Sequence, residues 1–166
     1  MYARLFFIQL GVDIMNTTRF SFIVINFLLI ILFANAAYAI KPIYSGGKER
    51  AAIRGYDPVA YFTENEAIKG NEEITLEYEG ATWFFSSESN RTLFEEDPVK
   101  YLPQYGGYCA YAASRGSSAS SKPEYFTVYD DKLYLNYSKS VYNKWIKNKD
   151  KYIDKGDSNW PSILAK

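Results

Sequence analysis

Two stretches of the chain alternate apolar and polar residues as a half-buried strand must, and each folds back on itself. Ile74-Thr75-Leu76-Glu77-Tyr78 runs into Glu79-Gly80 and returns as Ala81-Thr82-Trp83-Phe84-Phe85. Side chains change face at every residue of a strand and Gly turns the chain, so this pattern predicts a hairpin. Tyr125–Tyr129, the turn Asp130-Asp131-Lys132 and Leu133–Tyr137 predict a second one. Its acids read as turn formers rather than as a calcium loop, because the further oxygen ligands of a calcium site are missing. After the first hairpin, Ser86 or Ser87 is placed to cap a helix through about Glu96, and Asp97-Pro98 starts another helical turn ending near Leu102. From about Ser138, Val141, Tyr142, Trp145, Ile146, Tyr152 and Ile153 recur at helical spacing. Lys139, Lys144, Lys147, Lys149 and Lys151 fall on the opposite face, read as solvated rather than as a site for an acidic partner.

The remaining segments carry weaker patterns. Residues 40–54 read as an exposed lead-in broken by Gly46-Gly47. Gly55-Tyr56-Asp57-Pro58-Val59-Ala60-Tyr61-Phe62 predicts a short strand, since the residue before Pro favours extended backbone and an apolar run follows. Tyr105–Ala113 holds a Gly pair before small apolar residues, and 114–123 is a polar loop. Asn159-Trp160-Pro161 is expected to fold back as a hydrophobic plug. No internal repeat stands out strongly enough to use.

The first 39 positions differ from the rest. Two starts are available, Met1 and Met15. From Met15, an n-region with Arg19 leads into the apolar run 20–33, and Ala37-Tyr38-Ala39 supplies a small–x–small cleavage site. That run is shorter than the roughly 20 residues a spanning helix needs, so it reads as a signal peptide cleaved after Ala39, with residues 40–166 exported to the periplasm or medium. The expected organisation is 1–39 leader, 40–54 lead-in and 55–166 one domain. A membrane enters only through an uncleaved leader.

Charge and composition narrow the chemistry. The chain has 19 basic and 19 acidic residues, and losing Arg4, Arg19 and Asp13 with the leader leaves 17 and 18. That balance offers no field to attract nucleic acid. The chain has no histidine and one cysteine, Cys109. Ser–His–Asp, Cys–His and histidine-based zinc sites are therefore excluded, as is an internal disulfide. Cys109 stands between two readings, a ligand or redox thiol and a buried small hydrophobe, with packing the stronger. Gly106-Gly107 reads as a tight turn before it reads as a close approach to a ligand. Of 16 tyrosines, Tyr2 and Tyr38 leave with the leader. Among the rest, Tyr56, Tyr61, Tyr105, Tyr108 and Tyr111 flank two segments expected to lie close together. They are candidates for a pocket lining, although strand propensity alone accounts for most tyrosines. Asp57 reads as a turn or cap residue, with a ligand role as its second reading.

Tyr78-Glu79-Gly80-Ala81-Thr82-Trp83-Phe84-Phe85-Ser86-Ser87, then Phe94 and Asp97-Pro98-Val99-Lys100-Tyr101, resembles the YHS domain family. Gly55–Phe62 looks like its opening Asp-Pro-Val segment, and the downstream hairpin and Trp-Pro tail look like an exported bacterial subgroup. The resemblance covers roughly 55–113. It implies soft-metal ligands at three cysteine positions, one after Asp-Pro-Val and two at the junction of hairpin and helix. Here those positions hold Ala60, Ser86 and Asn90, none a good ligand for a soft metal.

Together these readings predict a small α+β domain of antiparallel hairpins, short helices and a C-terminal amphipathic helix. The expected function is a non-enzymatic binding or accessory module. Its pocket would lie between Gly55–Phe62 and Tyr105–Ala113, with Tyr56, Asp57, Tyr61, Tyr105, Tyr108, Cys109 and Tyr111 as ligand-binding candidates. No cofactor is predicted. The alternatives are a copper, zinc or redox protein centred on Cys109, and a structural or protein-interaction domain. The partner is an unidentified small ligand, metal or protein, and not nucleic acid.

Overall fold

The computed structural model describes residues 40–47 and 50–166, so the expected leader, its cleavage site and both start methionines lie outside the described residues. The chain between is an α+β domain built from two antiparallel hairpins and six short helices. Both expected hairpins form, as β1 (Asn71–Tyr78) with β2 (Ala81–Phe85) and β3 (Lys122–Tyr129) with β4 (Lys132–Asn136).

Asp57 turns the expected opening strand into a helix. Its carboxylate accepts from the N–H groups of Val59 and Ala60, so α1 (Ala60–Thr63) begins where a strand was expected. A side-chain acceptor placed before free N–H groups is what starts a helix, and the extended backbone that Pro58 favours for the residue before it is compatible with that role. Ser87 then caps α2 (Glu88–Glu96), and Asp97 caps α3 (Pro98–Tyr101). Downstream come α4 (Ala110–Ala113), α5 (Lys139–Ile146) capped by Ser138, and α6 (Lys149–Leu164).

Two expectations are corrected. The lead-in is not exposed throughout, because Ile43, Ala51, Ala52 and Ile53 are buried. Backbone bonds from Tyr44 N–H to the Gly106 carbonyl and from Ala52 N–H to the Thr82 carbonyl stitch it to the domain, and small apolar side chains fill the interior behind those bonds. Trp160 does pack on Tyr105 and Tyr108, but it does so from within α6 and not from a folded-back tail. Among the described residues no helix is long and apolar enough to cross a membrane.

The main surprise is an internal repeat. Every paired position of the second hairpin lies 51 residues after its counterpart: Asn71 and Lys122 (122 − 71 = 51), Tyr78 and Tyr129, Ala81 and Lys132, Phe85 and Asn136. Both hairpins carry an irregularity at the same place, between Asn71 and Thr75 in one and Lys122 and Phe126 in the other. The matching extends outward at a spacing of 51 or 52. Ser87 and Ser138 cap equivalent helices. The left-handed turn Ile53-Arg54-Gly55, with φ of 41°, 64° and 74°, returns as Tyr105-Gly106-Gly107, with φ of 55°, 58° and 81°. Asp57 N–H donates to the Ile68 carbonyl at 2.9 Å, and Cys109 N–H to the Ala119 carbonyl at 3.0 Å. Each copy also has its own aromatic pair, Trp83 with Phe94 and Tyr134 with Trp145, both with ring centres 5.2 Å apart.

The second copy's β4 contributes to two separate clusters. Its Leu133 and Leu135 join the cluster of Val59, Tyr61, Trp83, Phe85 and Phe94, while Tyr134 on the other face joins Tyr105, Trp145 and Ile163. Side chains alternate across a strand, so one strand serves both interiors.

Candidate functional site

The chemistry of the first copy converges on Asp57, which is fully buried. Its Oδ1 accepts from Val59 N–H at 2.8 Å and Ala60 N–H at 3.3 Å. Its Oδ2 accepts from Ser86 N–H at 2.8 Å, Ser86 Oγ at 2.6 Å and Asn90 Nδ2 at 2.7 Å. Asn90 Nδ2 also lies 3.2 Å from Ser86 Oγ. A carboxylate offers about four lone-pair sites, and five donors leave none for anything else. The geometry follows from local structure. Ser86 follows the end of β2, Asn90 sits in the first turn of α2 with its N–H on the Ser87 cap, and Asp57 lies three residues before the start of α1.

These are also the positions at which the resemblance implied cysteine ligands. The structure brings Ala60, Ser86 and Asn90 together around Asp57, but they do not suit a soft metal. One is a methyl group, the other two donate their protons to the carboxylate, and no thiolate is present. Among the described residues no group of three or more cysteine or carboxylate side chains is gathered to hold a metal.

The second copy repeats the cradle with a different occupant. Cys109 stands at the position of Asp57, only 2 % exposed. The backbone N–H groups of Tyr111, Ala112 and Tyr137 face its sulfur, as those of Val59, Ala60 and Ser86 face the carboxylate. Its S–H contacts Asn136 Oδ1 at 3.8 Å, which also accepts from Tyr111 N–H at 3.3 Å. Burial pushes the thiol above its ordinary range, opposed by those three N–H groups. A thiol held neutral in the interior is a poor nucleophile and a poor ligand.

The seven expected ligand-binding residues do not face one pocket. Asp57, Tyr61 and Cys109 lie in the interior. Tyr61 donates to the Pro123 carbonyl at 3.4 Å, and burial, then Tyr56, Glu124 and Asp57, raise its hydroxyl well above the usual tyrosine range. Tyr105 donates to the Ile153 carbonyl and to Asp157 Oδ1, at 3.2 and 2.9 Å, and burial and then that carboxylate push it up strongly. Tyr108 packs between Tyr44 and Trp160, and burial raises it too. Tyr111 packs edge-on against Tyr152.

Tyr56 alone of the opening tyrosines lines a cleft of about 390 Å³, together with Arg54, Lys69, Lys122, Pro123 and Glu124. Tyr105 belongs to a separate groove of about 470 Å³. The two segments enter different clusters, Tyr61 with Trp83, Leu133 and Leu135 and Tyr105 with Tyr134 and Trp145. Sequence reasoning passed over Arg54, Lys69 and Lys122. The signal that points to the opening turn is the Gly-Tyr pair at 55–56, which recurs at 107–108.

Comparison with known proteins matches the YHS domain to residues 59–105. The match covers the first copy from Val59 onward, including Ala60, Ser86 and Asn90 but not the turn at 53–55 or Asp57. No curated protein and no solved structure matches the chain.

Proposed function

We propose that the chain, which matches the YHS domain over residues 59–105 and holds Ala60, Ser86 and Asn90 where the resemblance implies thiolates, is an exported, non-enzymatic binding or accessory module in which that corner serves as a structural joint. The observation that carries this reading is the saturation of Asp57. A carboxylate with five donors is a fastener between α1, β2 and α2. Export is supported by the apolar run at 20–33 followed by Ala37-Tyr38-Ala39. A metal or redox role for Cys109 draws less support, since its thiol is buried and kept protonated.

The test is elemental analysis and native mass spectrometry on the full chain, expressed without a tag and purified as the cell delivers it. The expected result is a polypeptide mass beginning at Ile40 with no stoichiometric copper or zinc. Retained metal at one equivalent would sink the non-metal reading. An intact leader in the exported fraction would sink the cleavage.

A further inference from the structure

The repeat supplies an internal control for the cleft beside Tyr56. The two left-handed turns are equivalent, but the second uses glycine where the first uses arginine. Arg54, at φ 64°, corresponds to Gly106, at φ 58°. Glycine adopts this conformation without steric cost, whereas a side chain is strained there. In the second copy a side chain is also excluded sterically, since a Cβ on Gly106 would run into the Pro42 carbonyl oxygen. In the first copy the turn carries a long cationic side chain despite the strain, immediately after the β-branched Ile53, itself at φ 41°. Strain of this kind persists where the rest of the structure enforces it, and it concentrates at ligand clamps.

The Arg54 side chain has a destination. It lines the cleft of about 390 Å³ with Tyr56, Lys69, Lys122, Pro123 and Glu124. Lys69 Nζ donates to the Arg54 carbonyl at 3.0 Å and lies 5.4 Å over the Tyr56 ring, so it ties the strained turn to the cleft wall. Backbone pairing of Tyr56 with Lys69 holds the same wall. Among the described lining residues three are cationic and one, Glu124, is acidic. The volume suits a small organic molecule, and a guanidinium and an ammonium lining one cleft suit an oxyanion.

We propose that this cleft binds a small organic carboxylate, its carboxylate on Arg54 and Lys122 and its body against Tyr56 and Pro123. This deepens the binding-module reading by naming the ligand class, and it fails separately from it: a metal-free chain that ignores carboxylates overturns the cleft alone.

The experiment is an amide NMR titration of the purified full chain with benzoate, with inorganic phosphate and benzyl alcohol as comparators. Saturable shifts of the Arg54, Gly55, Tyr56 and Lys122 signals by benzoate, and weaker ones by both comparators, are expected. Phosphate binding as tightly would remove the organic body, and benzyl alcohol binding as tightly would remove the charge. Either result overturns the proposal, as does a flat benzoate titration. Arg54→Gly should weaken benzoate by about tenfold or more, the worth of a charge-assisted hydrogen bond. It should also leave the melting temperature equal or higher, because glycine relieves the turn. Lys122→Gln, at the exposed start of β3, should weaken benzoate several-fold without touching the turn. Unchanged affinity in both variants rules the site out.

Discussion

The two copies hold equivalent buried polar centres and treat them differently. In the first, Asp57 accepts from five neutral donors, each within 3.3 Å. In the second, the cradle of three backbone N–H groups survives but faces a thiol, and the neighbouring Asn136 keeps an unpartnered Nδ2. Thr127 Oγ1 and Trp145 Nε1 complete the buried unpartnered atoms among the described residues, and all of them lie in the second copy. The counterparts of Asn136 and Trp145 are Phe85 and Phe94, which have no polar atom to satisfy. One backbone frame thus tolerates a saturated polar joint in one copy and loose polar ends in the other. It follows that the first joint holds its copy together, while the second centre is packed around rather than built upon.

The sharpest way to break this comparison is Asp57→Ala. Removing the carboxylate strands the N–H groups of Val59 and Ser86 and the amide of Asn90 inside the protein. Leaving several buried donors without an acceptor should cost about 3–5 kcal/mol, read as a lower urea midpoint at unchanged slope. A cost below about 1 kcal/mol would mean that the joint is ornamental.

Much of the frame was legible because it rests on local rules. Alternation marked both hairpins, Ser87 took the cap that Ser86 or Ser87 was expected to fill, and Asp97-Pro98 opened α3. The opening helix was misread because Asp57 acts through side-chain acceptance, which the extended bias of an X-Pro step conceals. The buried lead-in was missed because Ala51, Ala52 and Ile53 are too few to show a period. The repeat was illegible for a deeper reason. Its copies agree in turn, cap and pairing position but share only scattered residue types, such as Gly55 with Gly107, Tyr78 with Tyr129 and Ser87 with Ser138, while Asp57 corresponds to Cys109, Phe85 to Asn136 and Trp83 to Tyr134. The two tyrosine segments were expected to flank one pocket, and instead Tyr61 and Tyr105 enter different clusters.

Alkaline pH probes the second core next. Tyr134, buried in the second core, is pushed up to about 12, first by burial and then by Asp157 and Asp130. A hydroxyl whose folded pKa lies above its unfolded value of 10.0 contributes fully below that value, and its contribution is lost as pH rises toward 12. Tyr134→Phe should therefore flatten the fall in unfolding free energy between pH 10 and 12, by up to about 1.4 kcal/mol per pH unit. Tyr61 in the first core and Tyr105 in the second are shifted in the same direction, so the variant keeps a residual slope. A variant as steep as the parent would show that Tyr134 is not held protonated by its surroundings.

Cys109→Ala sharpens the comparison at smaller scale. Cys109 has one weak S–H contact and three backbone N–H groups facing a neutral sulfur, in place of five bonds to a carboxylate, so its loss should cost about 1 kcal/mol, from a small cavity and weakly held N–H groups. A cost equal to that of Asp57→Ala would make the two centres equivalent in weight as well as in position.

The smallest effect is expected at Trp145→Phe, which gives the second copy the aromatic type that the first has at Phe94. Trp145 is fully buried, stacks on Tyr134 at 5.2 Å and leaves its Nε1 without a partner. Shortening the ring loses packing volume, which costs stability. It also removes a buried N–H that gave up water for nothing, a penalty of about 1–3 kcal/mol. The two terms oppose each other at similar size, so the urea midpoint should move by less than about 1 kcal/mol in free energy, whereas the same change at a satisfied tryptophan would be clearly destabilising. Trp83, the indole of the first copy, is such a case, donating its Nε1–H to the Tyr78 carbonyl at 3.1 Å. Trp83→Phe should therefore cost more than Trp145→Phe, and equal costs would mean that the unpartnered indole is not the weak point that separates the two copies.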